Sequence, residues 1–386
     1  MVLSELKNVF LSLVRLGIGN TDSTYFTDKV DWVTLKALAD QHGLSAVVLD
    51  GLNEVSKSNS QLSARACSLS SERTLNSQLK LSWIGEVMQS YEQRYVQYEN
   101  AIASLAGWYT QHGYKMMVLK GYSCSLDWSK PNHRPCGDID IWLFGQQKEA
   151  DALLESLEFS VESLESVNKV QRIKVDSSHH HHTVFEWQGF TVENHYDFLN
   201  VHHHKSNVEM EAILKDLGKD DSHFVELHGE KVYLPSANLH ALFLLRHSMS
   251  NYASTGFQLR QLLDWAFFVE KHGEEIDWKW LESQLEHFGM KKLYDVFNAI
   301  CVGDLGFNVK LFPKVQFQPE WKDRVLNDIL SPEFSEKESG GLISRAVFKY
   351  RRWKANEWKH ELCFNDSLWS AFWSGVWGHL MKPGMI

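Results

Sequence analysis

From Met1 to Gln111 apolar residues recur every three or four positions: through Val9, Leu11, Leu13, Val14 and Leu16, in "WVTLKALADQHGLSAVVLDGL", and in the long "LSWIGEVMQSYEQRYVQYENAIASLAGWYTQHG". That spacing lays an apolar stripe along one side of a helix and leaves polar residues on the other, so the segment is predicted helical up to Gly113. The period then shortens. "YKMMVLKG" and "GDIDIWLF" are apolar runs of strand length, and "HTVFEWQGFTVENHYDFL" holds two alternating runs joined at Gln188 and Gly189, a predicted hairpin. Between them "QQKEADALLESLEFSVES" reads as a helix running into another strand. After Pro235 and Ser236 the helical period returns in "NLHALFLLRHSMSNY", "GFQLRQLLDWAFFVEKHG" and "WKWLESQLEHFGMKKLYDVFNAICVGDLG".

The predicted fold class is therefore α+β, a mixed-sheet core flanked by N-terminal and C-terminal helical regions. The pattern divides the chain into a helical region at 1–112, an α/β core at 113–234, a second helical region at 235–310, and a loop with a Trp-rich helical tail at 311–386. Phe312 to Gly341 is predicted loose, with Pro313, Pro319, Pro332 and the "SEKESGG" cluster suited to a mobile loop.

Composition narrows the classes. At 386 residues, 44% hydrophobic and 23% charged, the chain is long enough for about two or three domains with a sizeable core. A formal net charge of −10 argues against a surface built throughout to attract polyanions, while leaving room for a local basic patch. The five cysteines are scattered without a CxxC pair, which favours neither a disulfide framework nor a thiolate zinc site and fits a reducing, cytoplasmic location. Charges at Glu5, Lys7 and Arg15 interrupt the first helix, unlike a signal peptide, and no window reaches the roughly 18 charge-free apolar residues of a membrane span.

Candidate chemistry begins at Asp138 and Asp140, one residue apart inside the apolar "GDIDIWLF". In a strand, residues i and i+2 project from one face about 6.6 Å apart, so both acids point together while Ile139 and Ile141 fill the other face. At an effective dielectric of about 20 their repulsion is about 2.5 kcal/mol, a cost that calls for a compensating cation. Mg²⁺, or Mn²⁺ in its place, supplies one, and prefers carboxylate oxygens completed by phosphates and water. Two-metal phosphoryl transfer needs a third carboxylate from a neighbouring strand. In "FTVENHYDF" the residues Thr191, Glu193, His195 and Asp197 share a face; Glu193 is the first choice and Asp197 the reserve.

The order "VLKGYS", "HRPCGDIDIWL", "FTVENHY" resembles the nucleotidyltransferases of the DNA polymerase beta superfamily, and within it the branch known as uncharacterised nucleotidyltransferase. That branch carries "LKG", an arginine before D-I-D, a histidine-bearing segment, an acid followed by a histidine, and an "lDw"-like motif. These match Lys120 with Gly121, Arg134, His182, Glu193 with His195, and Asp264 with Trp265. The "W-x-x-L-x-x-L-A-x-x-H-G-L" of Trp32 to Leu44 is similar to its helical N-terminal half, so the likeness covers most of the first 270 residues. The resemblance implies a nucleotidyltransferase core in which Asp138, Asp140 and Glu193 are catalytic and hold the metal, with helices backing the cleft. Where the superfamily has Gly-Ser at the turn, this chain has Gly121 and Tyr122, with Ser123 one position later. Lys120, the backbone of Gly121, Ser123 and Arg134 are the expected phosphate contacts. Lys120 also reads as a surface lysine at a strand end, and Arg134 as one half of a structural ion pair.

The histidine runs at His179 to His182 and His202 to His204 lack a cysteine or regularly spaced acid to complete a coordination set, and neighbours in an extended chain face opposite ways. The resemblance places His182 near the active-site face with His195, as accessory groups. Arg260 and Asp264 are spaced for an i,i+4 ion pair. In the tail, Trp353, Trp358, Trp369, Trp373 and Trp377 alternate with Lys and Arg, which suits RNA contact, an amphipathic helix packing its Trp face on a core, or a membrane surface. The expected activity is Mg-dependent transfer of a nucleoside monophosphate from an NTP, with ATP the expected donor, to an acceptor hydroxyl on a small molecule, a protein or an RNA. The alternative is a catalytically silent module keeping the fold for binding or regulation, such as one half of a toxin–antitoxin pair.

Overall fold

The structure, a computed structural model, describes residues 3–21, 30–62, 75–156, 158–163, 166–202, 204–254, 256–313, 319–334, 341–370 and 373. His203, Trp377 and most of the "SEKESGG" cluster lie outside the described residues. The fold is α+β, as the hydrophobic pattern predicts. Its strands are β1 (Met117–Val118), β2 (Ile139–Trp142), β3 (Glu158–Ser163), β4 (Ser166–Arg172), β5 (His182–Trp187), β6 (Phe190–His195), β7 (Phe224–Leu227) and β8 (Glu230–Tyr233). Six form one mixed sheet in the order β5-β6-β2-β1-β8-β7, while β3 and β4 pair separately. The chain divides into two compact units, one of residues 1–95, 127–135 and 248–365, the other of 96–126, 136–247 and 366–386.

The second unit holds the sheet. Its apolar face carries Ile139, Ile141, Phe190 and Val192, all buried, and Tyr98 from helix Arg94–Gln111 packs its ring 5.2 Å from Phe190. The predicted hairpin forms at Gln188 and Gly189, both with positive φ (48° and 80°), the conformation of a two-residue I′ turn. His228 and Gly229 repeat the device between β7 and β8, a hairpin the hydrophobic pattern does not foretell. The register of β5 on β6 is fixed by a buried polar knot: Thr183 Oγ1 donates to Asp151 Oδ2 (2.7 Å) and Asn194 Nδ2 to Asp151 Oδ1 (2.8 Å), with Thr183 and Asn194 directly opposite. A one-residue slip would strand all three polar groups in the core, so this knot sets which side chains β6 shows to the opposite face.

The first unit is helical. The long stretch predicted to end at Gly113 consists of helix Ser77–Val87, a π segment Met88–Gln93 and helix Arg94–Gln111, the last of which runs on into the second unit. Inside the region predicted loose, Pro319 opens a helix, Pro319–Leu330, with Val325, Leu326 and Ile329 buried. Proline is suited there because the first helical N–H needs no partner. Trp358 of the tail stacks on Trp321 (6.0 Å) beneath the Arg324 guanidinium (3.8 Å), whereas Trp369 and Trp373 are exposed. Among the described residues no helix is long and apolar enough to cross a membrane.

Several motifs from distant parts of the sequence meet in this unit around one buried ion pair. Arg134 Nε and Nη2 donate to the two oxygens of Asp264 (2.7 and 3.0 Å), and Trp128 Nε1 donates to Asp264 Oδ1 (2.9 Å). The Asp264 carboxylate is thus taken up by a residue 130 positions away, and Arg260, its expected i,i+4 partner, reaches the Pro135 carbonyl (3.3 Å) and Gln258 Oε1 (3.0 Å). Gly43, at φ +65°, lies where a Cβ would come 3.1 Å from Pro135 Cγ, and His42 Nδ1 accepts the Leu259 N–H (3.3 Å) at the start of helix Leu259–His272. The "H-G-L" and "L-D-W" motifs therefore grip the loop at 127–135, which continues directly into Cys136, Gly137 and Asp138.

A buried guanidinium stripped of its carboxylate is costly, so Asp264→Ala is expected to destabilise the protein by about 3–5 kcal/mol in urea unfolding. Unchanged stability would show that the pair does not hold the loop.

Candidate active site

On the polar face of the sheet, β2 and β6 run parallel with Asp140 opposite Glu193 and Trp142 opposite His195. β5 pairs antiparallel to β6 and sets His182 opposite His195. These pairings bring Asp140, Glu193 and His195 together, one donor atom from each lying within 4.8 Å of the others. Lys120 completes the cluster. The Leu119 N–H donates to the Asp140 carbonyl (3.0 Å), extending the β1–β2 ladder, and the next residue carries its ammonium to 2.8 Å from Asp140 Oδ1. His195 Nε2 stands 3.2 Å from the same oxygen, and its Nδ1 faces the Asp197 carbonyl at 3.1 Å. His182 Nε2 lies 3.9 Å from Glu193 Oε1.

Asp138 differs from the strand reading of the D-x-D pair: β2 begins at Ile139, so Asp138 sits just ahead of it, exposed. Its carbonyl accepts a hydrogen bond from Tyr98 Oη (2.9 Å). The same hydroxyl explains Gly121, which has φ +72° and would place a Cβ 2.7 Å from it and 3.4 Å from the Asp138 carbonyl. Tyr122, where the superfamily's serine would stand, turns inward and is buried, donating to Glu99 Oε1 (3.3 Å). Ser123 is also buried, its hydroxyl donating to the Leu119 carbonyl and facing His240 Nε2 (3.4 Å). Of the expected phosphate contacts, Lys120 and Gly121 adjoin the acids, Ser123 faces into the turn, and Arg134 belongs to the other unit, committed to Asp264. Asp197, the reserve acid, pairs with Lys215.

The electrostatics follow from three carboxylates around one ammonium. Burial opposes ionisation of Asp140, but the Lys120 ammonium and the His195 contact hold its carboxyl far below the usual carboxylate range. Burial likewise works against the charge on Lys120, and the Asp140 and Glu193 carboxylates outweigh it, raising its pKa. Glu193 goes the other way, pushed up to about 7 by burial and by the neighbouring Asp140 charge. With Asp138, Asp140 and Glu193 all ionised against Lys120 the cluster would be two positive charges short, and its donors are chiefly carboxylate oxygens. That set fits a hard divalent cation. Sequence reasoning did not reach Tyr98, which orders the turn, or Asp151, Thr183 and Asn194, which set the register; a lone asparagine between Glu193 and His195 was their only trace.

A mixed sheet presenting opposed acids on adjacent parallel strands, with a lysine and glycine turn beside them and helices around, is an α+β nucleotidyltransferase-like fold. The chain belongs to the family described as uncharacterised nucleotidyltransferase, whose model matches residues 28–301. No curated protein matches it. Among solved structures, an antigenic nucleotidyltransferase-like protein from Paracoccidioides brasiliensis is similar at 13% identity and a TM-score of 0.31, over 55% of this chain and 93% of that one.

Gly121→Ala combines positive-φ strain with displacement of the Tyr98 hydroxyl, and is expected to cost about 1–3 kcal/mol in unfolding free energy. In a Tyr98→Phe background the steric part disappears, so the same substitution should cost less; equal costs in both backgrounds would contradict the contact.

Proposed function

We propose that this protein transfers a nucleoside monophosphate from an NTP, with ATP the expected donor, to an acceptor hydroxyl, using Mg²⁺ or Mn²⁺. The observation that carries the reading is the Asp140–Glu193 pair on adjacent strands with the Lys120 ammonium against it. In the transfer, the acceptor oxygen bonds to the α-phosphorus as the bond from that phosphorus to the bridging oxygen breaks; pyrophosphate leaves and the hydroxyl proton is released. Asp140 and Glu193, with Asp138 at the strand mouth, are the residues that would hold the cation. When bound, that cation neutralises phosphate charge and favours attack by the acceptor.

The chain's own groups supply positioning. His195, oriented by the Asp197 carbonyl, fixes the Asp140 carboxylate, and the Tyr98 hydroxyl holds the backbone of Asp138 over the Gly121 turn. Lys120 is the cation of this cluster able to meet a triphosphate, as a point charge on a flexible stem. Because Tyr122 and Ser123 turn inward, phosphate recognition in this reading rests on Lys120 and the Gly121 backbone rather than on a serine hydroxyl. The acceptor is a small molecule, a protein side chain or an RNA end.

Titration of the protein with NTP in the presence and absence of Mg²⁺, followed by incubation of labelled NTP with cell extract, tests the proposal. Wild type is expected to bind NTP only with Mg²⁺ and to transfer label, and chelation should abolish both. Asp138→Ala, at an exposed position, and Asp140→Asn, which keeps the side-chain shape, should lower transfer by about 10²–10⁴. Absence of Mg-dependent NTP binding by the wild type would favour the catalytically silent module.

A further inference from the structure

We infer that His181, His182 and His195 form a site for a divalent transition-metal ion such as Zn²⁺, Co²⁺ or Ni²⁺, beside the carboxylate cluster. Two consecutive histidines in a regular strand point to opposite faces, but β5 begins at His182 and His181 lies in the bend before it. The His181 carbonyl accepts hydrogen bonds from both Tyr196 N and Asp197 N (3.1 Å each), which holds that peptide turned against the end of β6. The β5–β6 register then delivers His195 opposite His182. The rings close into a triangle, with centroids 4.3 Å apart for His181 and His182, 5.4 Å for His181 and His195, and 5.3 Å for His182 and His195. One nitrogen from each lies within 4.8 Å of the other two. Tetrahedral coordination at about 2.1 Å needs nitrogens roughly 3.4 Å apart, a contraction of at most about 1.4 Å by side-chain rotation.

Two further observations point to a ligand. His195 Nδ1 faces the Asp197 carbonyl at 3.1 Å, the outer contact that fixes a metal-binding imidazole with its Nε2 inward, and a metal bound there would take the place of the Nε2 contact to Asp140 Oδ1 (3.2 Å). Among the described residues, His181 Nδ1 and His182 Nδ1 are buried without a hydrogen-bond partner. Buried imidazole nitrogens without partners are unfavourable, and coordination of one ring nitrogen by a cation offsets the desolvation. Glu193 Oε1, 3.9 Å from His182 Nε2, offers a fourth donor. Three imidazoles select a borderline metal, whereas Mg²⁺ prefers the oxygen-rich acids alongside. Because His195 and Glu193 also belong to the carboxylate cluster, the variants that test this site are at His181 and His182, which lie outside the proposed cation set.

The test is titration of the metal-free full chain with Co²⁺, followed by its visible d–d absorption. One equivalent is expected to bind, to resist about a hundredfold excess of Mg²⁺, and to weaken by at least about tenfold in His181→Ala and in His182→Ala. His202→Ala, on a ring 5.8 Å from that of His180, is expected to leave binding unchanged. X-ray absorption of the Zn²⁺-loaded wild type, which needs no variant to fold, should show imidazole nitrogens at about 2.0 Å. Failure of the wild type to bind Co²⁺, binding undiminished in both folded variants, loss in His202→Ala instead, or a zinc shell without imidazole would each overturn the inference.

Discussion

A carboxylate buried in a sheet persists only where a cation stands against it, and here Lys120 Nζ lies 2.8 Å from Asp140 Oδ1. The rest of the cluster follows from that pair. Lys120 reaches Asp140 because the β1–β2 ladder runs on through Leu119, and Glu193 reaches it because β6 lies parallel to β2 in a register that puts the two acids opposite each other. One ammonium cannot satisfy two neighbouring carboxylates, so Asp140 stays ionised while Glu193 is pushed towards holding its proton. The chain has built a place where additional positive charge is favourable, which is what a divalent cation brings.

The two compact units divide the labour. One binds its distant motifs around the Arg134–Asp264 pair, so that histidine, glycine and aspartate positions more than 200 residues apart grip the short loop at 127–135. The other carries the sheet and its acids. The loop is continuous in sequence with the strand entry at Asp138, whose carbonyl is in turn held by Tyr98. The family motifs of the first unit, at His42 with Gly43, Arg134 and Asp264, thus read as anchors of backbone.

Much of this was legible in the sequence, for local reasons. The two-residue spacing of Asp138 and Asp140, the Gln188–Gly189 turn and the alternation of "FTVENH" are short-range signals, and they led to the β2 and β6 acids. What escaped depended on pairing across long separations. Arg134 could not be assigned to Asp264 over the nearer Arg260 without the fold, and the inward turn of Ser123 follows from Tyr122 filling the core. Asp138 falls outside β2 because the ladder begins one residue later, and His181 joins His182 only because a bend precedes β5. Strand propensity alone carries neither fact.

Lys120 stands where a cation belongs, and a nucleotide bound with its metal is expected to change that arrangement. The most direct measurement is a crystal structure with Mn²⁺ and a non-hydrolysable NTP, reading the manganese anomalous signal. A peak is expected between the Asp140 and Glu193 carboxylates, with the Lys120 ammonium drawn from Asp140 onto a phosphate. Bound nucleotide with no manganese at those acids, and with the Lys120–Asp140 pair intact, would contradict it.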